Sequence, residues 1–270
     1  MTMHLAGRTA LVTGAAGGIG RAVALSLAKR HARLALADRD TTGLAETVAL
    51  CQAAGAEAIG YALDVADAAA VADLPARILA DFASVAVLVN NAGVALQGRF
   101  EDISLDDFEW LFSINFWGVV RMTRAFLPLL HREPDAQLVN LSSLFGLIAP
   151  PGQAAYSASK FAVRGFSEAL RKELAGSSVG VTVVHPGGVA TRIAKDARRT
   201  TAIDAETTRR EAERFDKLLR LPPETAGEMI VAAIEQRTPR LLIGRDARIA
   251  ALVERILPVA YWKVLGRGAG

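Results

Sequence analysis

Four glycines within seven residues, Gly14, Gly17, Gly18 and Gly20, join the apolar run Ala10–Thr13 to an apolar helical pattern over Ile19–Lys29. A chain that turns from strand to helix through so much glycine can bring its backbone close to another group, because no Cβ intervenes. Gly14 permits the tight turn, the middle glycines let backbone approach a pyrophosphate, and Gly20 lets helix and strand pack closely. The start of the helix then offers unpaired N–H groups to an anion. The pattern is T-G-x-x-x-G-x-G, carried by Thr13, Gly14, Gly18 and Gly20 with Ile19 between the last two, and it also satisfies G-x-x-G-x-x-G. A glycine cluster gains meaning from its place, and this one follows the first strand and opens the first helix.

The rest of the chain repeats that strand-to-helix rhythm. Strands are expected at Ala10–Thr13, Arg33–Ala37, Ala58–Leu63, Val85–Asn90, Gln137–Leu141, Val179–His185 and Arg240–Ile243, with helices such as Ile19–Lys29, Thr41–Ala54 and Leu105–His131 between them. The strands are apolar without strict alternation, as befits strands covered on both faces. The expectation is an α/β chain, one doubly wound parallel sheet of about seven strands with helices on both faces. No linker or repeat divides it, so 1–270 reads as a single domain. Cys51 is the only cysteine, which excludes an intramolecular disulfide. His4, His31, His131 and His185 share no metal-ligand spacing, and Asp102, Asp106, Asp107 and Glu109 read as acidic enrichment at a helix start; no metal is expected.

Asp38 closes the second strand, 24 residues after Gly14. A carboxylate there accepts both hydroxyls of an adenosine ribose and repels a 2′-phosphate, whereas a plainer reading has it cap the next helix. Arg39 pulls the other way, since a guanidinium pairs with a 2′-phosphate or stacks on adenine. No basic residue stands in Ala15–Gly17, so NAD is favoured over NADP.

Further motifs follow in order: Asp64-Val65, Asn90-Asn91-Ala92-Gly93, Asn115, Ser142-Ser143, Tyr156-Ser157-Ala158-Ser159-Lys160 and Pro186-Gly187-Gly188-Val189-Ala190-Thr191. With the glycine turn, this ordered set, spanning about Leu5 to Thr191, closely resembles the short-chain dehydrogenase/reductase family. The resemblance implies a Rossmann-type sheet with a strand-order switch. It implies that Asp64 and Val65 hold adenine, that Asn91, Ala92 and Gly93 line the ribose side, and that Pro186, Gly187, Val189 and Thr191 hold the nicotinamide.

Tyr156 and Lys160 are four apart and share one helix face. General acid–base work near neutrality needs a tyrosine some three pKa units below its free value of ~10. The Lys160 ammonium and the charge of oxidised nicotinamide favour phenolate in that way. Tyr156 then takes the alcohol proton, Ser143 hydrogen-bonds the substrate oxygen, and Asn115 holds a water linking Lys160 to solvent. The implied reaction is hydride transfer between a nicotinamide and a secondary alcohol or ketone. Two alternatives stand beside it: a nucleotide-sugar epimerase or dehydratase on the same frame, and a non-catalytic dinucleotide sensor.

The substrate pocket is expected from Val94, Leu96, Gln97, Leu144, Phe145, Leu147, Gln153 and Gly188, mostly apolar, under a charged lid at about 192–221. An apolar alcohol or ketone is the favoured substrate. A net charge of only +3 gives no sign of nucleic-acid binding. Glu235–Gly270, with seven basic and three acidic residues, holds +4. In the tail at 245–270, Ile249, Leu252, Val253, Ile256 and Leu257 follow helical spacing. Packing against the chain's own domain or a neighbouring subunit is the first reading of that stripe, closure of the pocket the second, and docking to an anionic membrane the third. The long helices Leu105–His131 and Tyr156–Ala175 resemble the family's subunit interface, and the resemblance implies a homodimer or homotetramer. No signal segment and no membrane-length apolar run is visible, so a cytoplasmic location is expected.

Overall fold

In the computed structural model, which describes residues 2–199 and 219–266, the apolar runs become strands almost as read. They are β1 (Thr9–Thr13), β2 (Arg33–Asp38), β3 (Ala58–Ala62), β4 (Val87–Asn90), β5 (Leu96–Gln97), β6 (Ala136–Leu141), β7 (Val179–Pro186), β8 (Arg198–Arg199) and β9 (Arg240–Ile243). Seven of them form one sheet in the order β3-β2-β1-β4-β6-β7-β9, with every neighbouring pair parallel. Successive side chains of a strand point to opposite faces. Ala10 and Val12 accordingly join one apolar cluster and Leu11 the other.

The helices are α1 (Gly18–Ala28), α2 (Thr41–Ala53), α3 (Ala68–Asp81), α4 (Leu105–Asn115), α5 (Trp117–Leu130), α6 (Ala154–Glu173), α7 (Pro223–Glu235), α8 (Arg245–Ile256) and α9 (Tyr261–Leu265). Val23, Leu27, Ile230 and Ile234 of α1 and α7 pack on one face of the sheet. Leu74, Ile78, Met122, Phe126 and Leu170 of α3, α5 and α6 pack on the other. This is the doubly wound Rossmann-type architecture. β1 pairs with β2 on one side and β4 on the other, so the strand order reverses between β1 and β4. A crevice outside the carboxyl ends of the strands opens at such a reversal, and ligands of open α/β sheets bind there.

Two expectations need correction. The long helix over Leu105–His131 is two helices, α4 and α5, because Phe116 takes φ −114° and ψ −58° between them. The segment 192–221 is not free along its length. Arg198–Arg199 pairs in parallel with Leu96–Gln97, and the Arg198 guanidinium lies 3.6 Å from the Trp110 ring centroid and 2.9 Å from Asp107. At the far end, Leu221 N–H donates to the Gly188 carbonyl. Residues 200–218, the centre of the expected lid, lie outside the described residues.

In the tail, the open readings are narrowed and not overturned. The apolar stripe of α8 does not pack inward: Ile249, Leu252 and Ile256 are exposed, and Ala247 and Ala250 are buried instead. Small side chains let the helix approach its domain closely on the alanine side, and that leaves the larger ones outside. Among the described residues no helix is long and apolar enough to cross a membrane.

Candidate functional site

The glycine turn is built as its residues demand. Gly14 has φ +65°, and a Cβ there would sit 2.8 Å from Ala92 Cα. A Cβ on Gly20 would run into the Gly14 carbonyl oxygen. Gly18 has φ +54°, and its open side faces the Thr191 methyl group, so the glycine turn and the loop after β7 converge. The first turn of α1 has neither an acidic residue nor a side-chain cap, and Ile19 lies within it. Its N–H groups remain free for an anion.

Neighbouring strands brace this turn. Asn91 Nδ2 donates to the carbonyls of Thr13 (2.9 Å) and Gly14 (3.0 Å), while Thr13 Oγ1 accepts from the N–H groups of Asn91 and Ala92. Arg21, which sequence reasoning passed over, donates to the Ala16 and Gly43 carbonyls and ties the turn to α2. Asp38 does not cap the next helix; Asp40 does, accepting from Gly43 N–H. The Asp38 carboxylate accepts from Ala16 N–H at 2.9 Å and Asp40 N–H at 2.9 Å, beside the turn. Arg39 next to it is exposed. Asp64 accepts from Ala66 N–H, and buried Val65 leaves no room for a side chain at Gly118.

At the ends of β4, β6 and β7 the other expected residues come together. α6 carries Tyr156 and Lys160 on one face, with the Lys160 Nζ 5.7 Å from the Tyr156 ring centroid. Lys160 Nζ donates to the Leu141 carbonyl at 3.1 Å. Gly93 stands close to this pair: a Cβ there would lie 3.3 Å from Lys160 Nζ and 3.2 Å from Asn115 Oδ1. Fully buried Asn115 accepts from Val94 N–H at 2.8 Å and donates to the Val94 carbonyl at 3.0 Å and Ser159 Oγ at 3.2 Å. Its amide thus braces the β4 loop against α6. Ser143 starts a short 3-10 turn, accepting from Phe145 N–H, and its hydroxyl lies near enough to the Tyr156 phenol to act on its titration. Phe145 packs edge-on to Tyr156, centroids 6.1 Å apart.

The electrostatics run against one expectation. Burial pushes the Tyr156 phenol above its usual pKa, and the Ser143 hydroxyl offsets part of that. Burial also lowers Lys160 to about 8. Desolvation disfavours both charged forms, so the protein alone does not bring the tyrosine down to neutrality.

After β7, Pro186 ends the strand and Gly187 N–H donates to the Ile243 carbonyl. Gly188 N–H donates to the Asp246 carboxylate at 2.6 Å, and a Cβ on Gly187 would collide with that carboxylate. Val189 is buried and bridges to Leu221. Asp246 and His185 escaped sequence reasoning. His185 Nδ1 pairs with the Ser143 carbonyl at 3.0 Å, which requires that nitrogen to carry the proton. Its Nε2 is buried without a hydrogen-bond partner, and burial lowers its pKa to about 4. No motif spacing marks either residue, because each acts on a backbone group far away in sequence.

On the substrate side, Val94, Leu144 and Phe145 are half-buried, whereas Leu96 and Leu147 are core residues, and Leu96 packs with Leu111 and Ala155. Gln153 is buried, and Gln97 accepts from Arg199 Nε at 3.2 Å. Cys51 is buried, its thiol pushed up to about 11. Among the described residues no cluster of His, Cys, Asp and Glu could hold a metal. Ser104 caps α4 with Asp106 and Asp107 in its first turn, as the acidic-start reading requires.

A family model described as short chain dehydrogenase matches residues 8–202. The chain is 45% identical over 265 residues to the Mycobacterium tuberculosis protein named oxidoreductase SadH, covering 97% of this chain and 95% of that one. It is 37% identical over 188 residues to a 3-oxoacyl-[acyl-carrier-protein] reductase of Synechocystis, covering 69% of this chain and 76% of that one. A crystal structure of a short chain dehydrogenase/reductase from Burkholderia phymatum in complex with NAD superposes with a TM-score of 0.87 at 32% identity. That superposition covers 94% of this chain and 95% of the other. With the ordered motifs, the switched parallel sheet and these relatives in agreement, the chain belongs to the short-chain dehydrogenase/reductase family of oxidoreductases.

Proposed function

We propose that this protein is a short-chain alcohol dehydrogenase or carbonyl reductase, one unit over 1–270, that interconverts an apolar secondary alcohol and its ketone. One observation carries the proposal: Ser143, Tyr156, Lys160 and Asn115 converge beside the glycine turn at the point where strand order reverses. The residues fit a dinucleotide, since Gly17 leaves open space beside the turn, Gly18 faces Thr191 across it, and α1 begins without a competing acid or side-chain cap. Asp38, held at the turn by Ala16 N–H, would accept the ribose hydroxyls, which supports NAD over NADP. The relative from Burkholderia, described in complex with NAD, supports that choice.

When bound, the nicotinamide supplies the acceptor or donor of hydride. Pro186, Gly187, Val189 and Thr191 would hold it, Asp64 and Val65 the adenine, and Asn91, Ala92 and Gly93 the ribose side. Ser143 Oγ orients the substrate oxygen and Tyr156 moves the proton at its phenol oxygen. The Lys160 ammonium stabilises the phenolate that forms, and Asn115 keeps the loop at Val94 against α6. Val94, Leu144 and Phe145 flank this point, which supports an apolar substrate. Exposed Trp117 and Phe161 on α5 and α6 support a homodimer or homotetramer.

The test is a panel of ketones and secondary alcohols, each with NAD(H) and NADP(H), followed at the nicotinamide absorbance. Turnover of apolar members with NAD(H) is expected, and a preference for NADP(H) would show Arg39 outweighing Asp38. Tyr156→Phe should abolish turnover and leave dinucleotide binding nearly intact. Turnover at the wild-type rate in that variant would sink the assignment.

A further inference from the structure

The apolar row of α8 lies bare. Ile249, Leu252 and Ile256 are 57%, 59% and 66% exposed, and Val259, in the turn to α9, is 94% exposed. Spacings of three and four place the first three on one face of the helix. A contiguous apolar surface of this kind marks a place of contact.

Among the described residues, cations outnumber acids around it. Arg245, Arg248, Arg255 and Lys263 are all exposed. Two acids also stand on α8: Asp246, which accepts from Gly188 N–H, and half-buried Glu254. A second copy of the chain is the weaker occupant, because a two-fold interface would bring four cations from each copy to one seam against two acids from each. A surface of fixed negative charge with an apolar layer beneath it satisfies both halves of the pattern.

We propose that α8 and α9 dock on an anionic lipid surface, with Ile249, Leu252, Ile256 and Val259 at the acyl boundary and the four cations among the headgroups. The docking helices are tied to the site. The Tyr261 hydroxyl accepts from Ala149 N–H at 3.1 Å in the loop after Ser143, and Asp246 holds the loop after Pro186. A docked protein therefore keeps the loops flanking Tyr156 close to the lipid surface. The docking stands whether or not the proposed reaction is right.

The experiment is flotation of the full-length protein with vesicles of phosphatidylcholine alone or of phosphatidylcholine and phosphatidylglycerol in equal parts. The wild type should float with the anionic vesicles, stay largely in the soluble fraction with the neutral ones, and be released progressively by salt. Ile249→Glu with Leu252→Glu, and separately Arg248→Glu with Arg255→Glu, should each lower partitioning roughly tenfold or more. These side chains are exposed, so circular dichroism and melting temperature should match the wild type. Wild-type protein that stays soluble with both vesicle types would overturn the proposal, as would variants that float like the wild type. If Ile249→Glu with Leu252→Glu instead splits a wild-type oligomer that never floats, the face belongs to a second copy of the chain.

Discussion

Lys160 holds an ammonium where burial lowers its pKa to about 8, below the value near 10.5 of an unfolded chain. At neutral pH both states are charged, so the full desolvation penalty weighs on the folded one; it is relieved as pH rises from about 8 towards 10.5. Lys160→Met should therefore raise stability at neutral pH by about 1–3 kcal/mol in urea titrations while abolishing turnover. His185 follows the same sign in a lower window. Its folded pKa of about 4 lies below the unfolded value near 6.5, so its contribution is complete above 6.5 and is lost as pH falls towards 4. A non-titrating His185→Gln variant should show a shallower loss of stability over that interval, read from denaturant midpoints at each pH. Tyr156, Lys160 and Ser143 were legible in the sequence because their spacing is local or fixed by one strand and one helix. His185 was not, because its partner is the Ser143 carbonyl, 42 residues away.

Among the elements, the glycine turn shows how a backbone need becomes a sequence signature. Gly20 packs where any Cβ would meet the Gly14 carbonyl, so Gly20→Ala must push α1 off β1. A destabilisation of about 1–3 kcal/mol in thermal melts is expected, with weaker dinucleotide binding by calorimetry. The strands were read within a residue or two because both faces of the sheet are covered and their apolar runs are uninterrupted. The break at Phe116 between α4 and α5 was not legible. Neither Pro nor Gly marks it, and Asn115 is drawn to Val94 by hydrogen bonds across 21 residues. The pairing of Leu96–Gln97 with Arg198–Arg199 was equally hidden, since two residues are too few to carry a periodic signal.

Over the molecule as a whole, the surface follows from which face of each helix the sheet covers. Trp117 and Phe161 remain exposed on the helices whose inner sides pack on the sheet. Trp117→Glu with Phe161→Glu should yield a smaller species by light scattering, with the melting transition retained. Helical periodicity in α8 was read from the sequence, but the direction of its apolar stripe was left open there. Hydrophobic spacing shows that a helix has a face and is silent on what the face meets. Asp246 bonded to Gly188, together with the buried Ala247 and Ala250, turns that stripe outward. Sequence alone determined the α/β class, the glycine cradle and the Tyr156–Lys160 pair, because each depends on local periodicity, steric permission or fixed spacing. Three-dimensional packing decided the pKa shifts, the bracing by Asn115, Asp246 and His185, and the exposure of the tail, because burial and long-range hydrogen bonds exist only after distant segments meet.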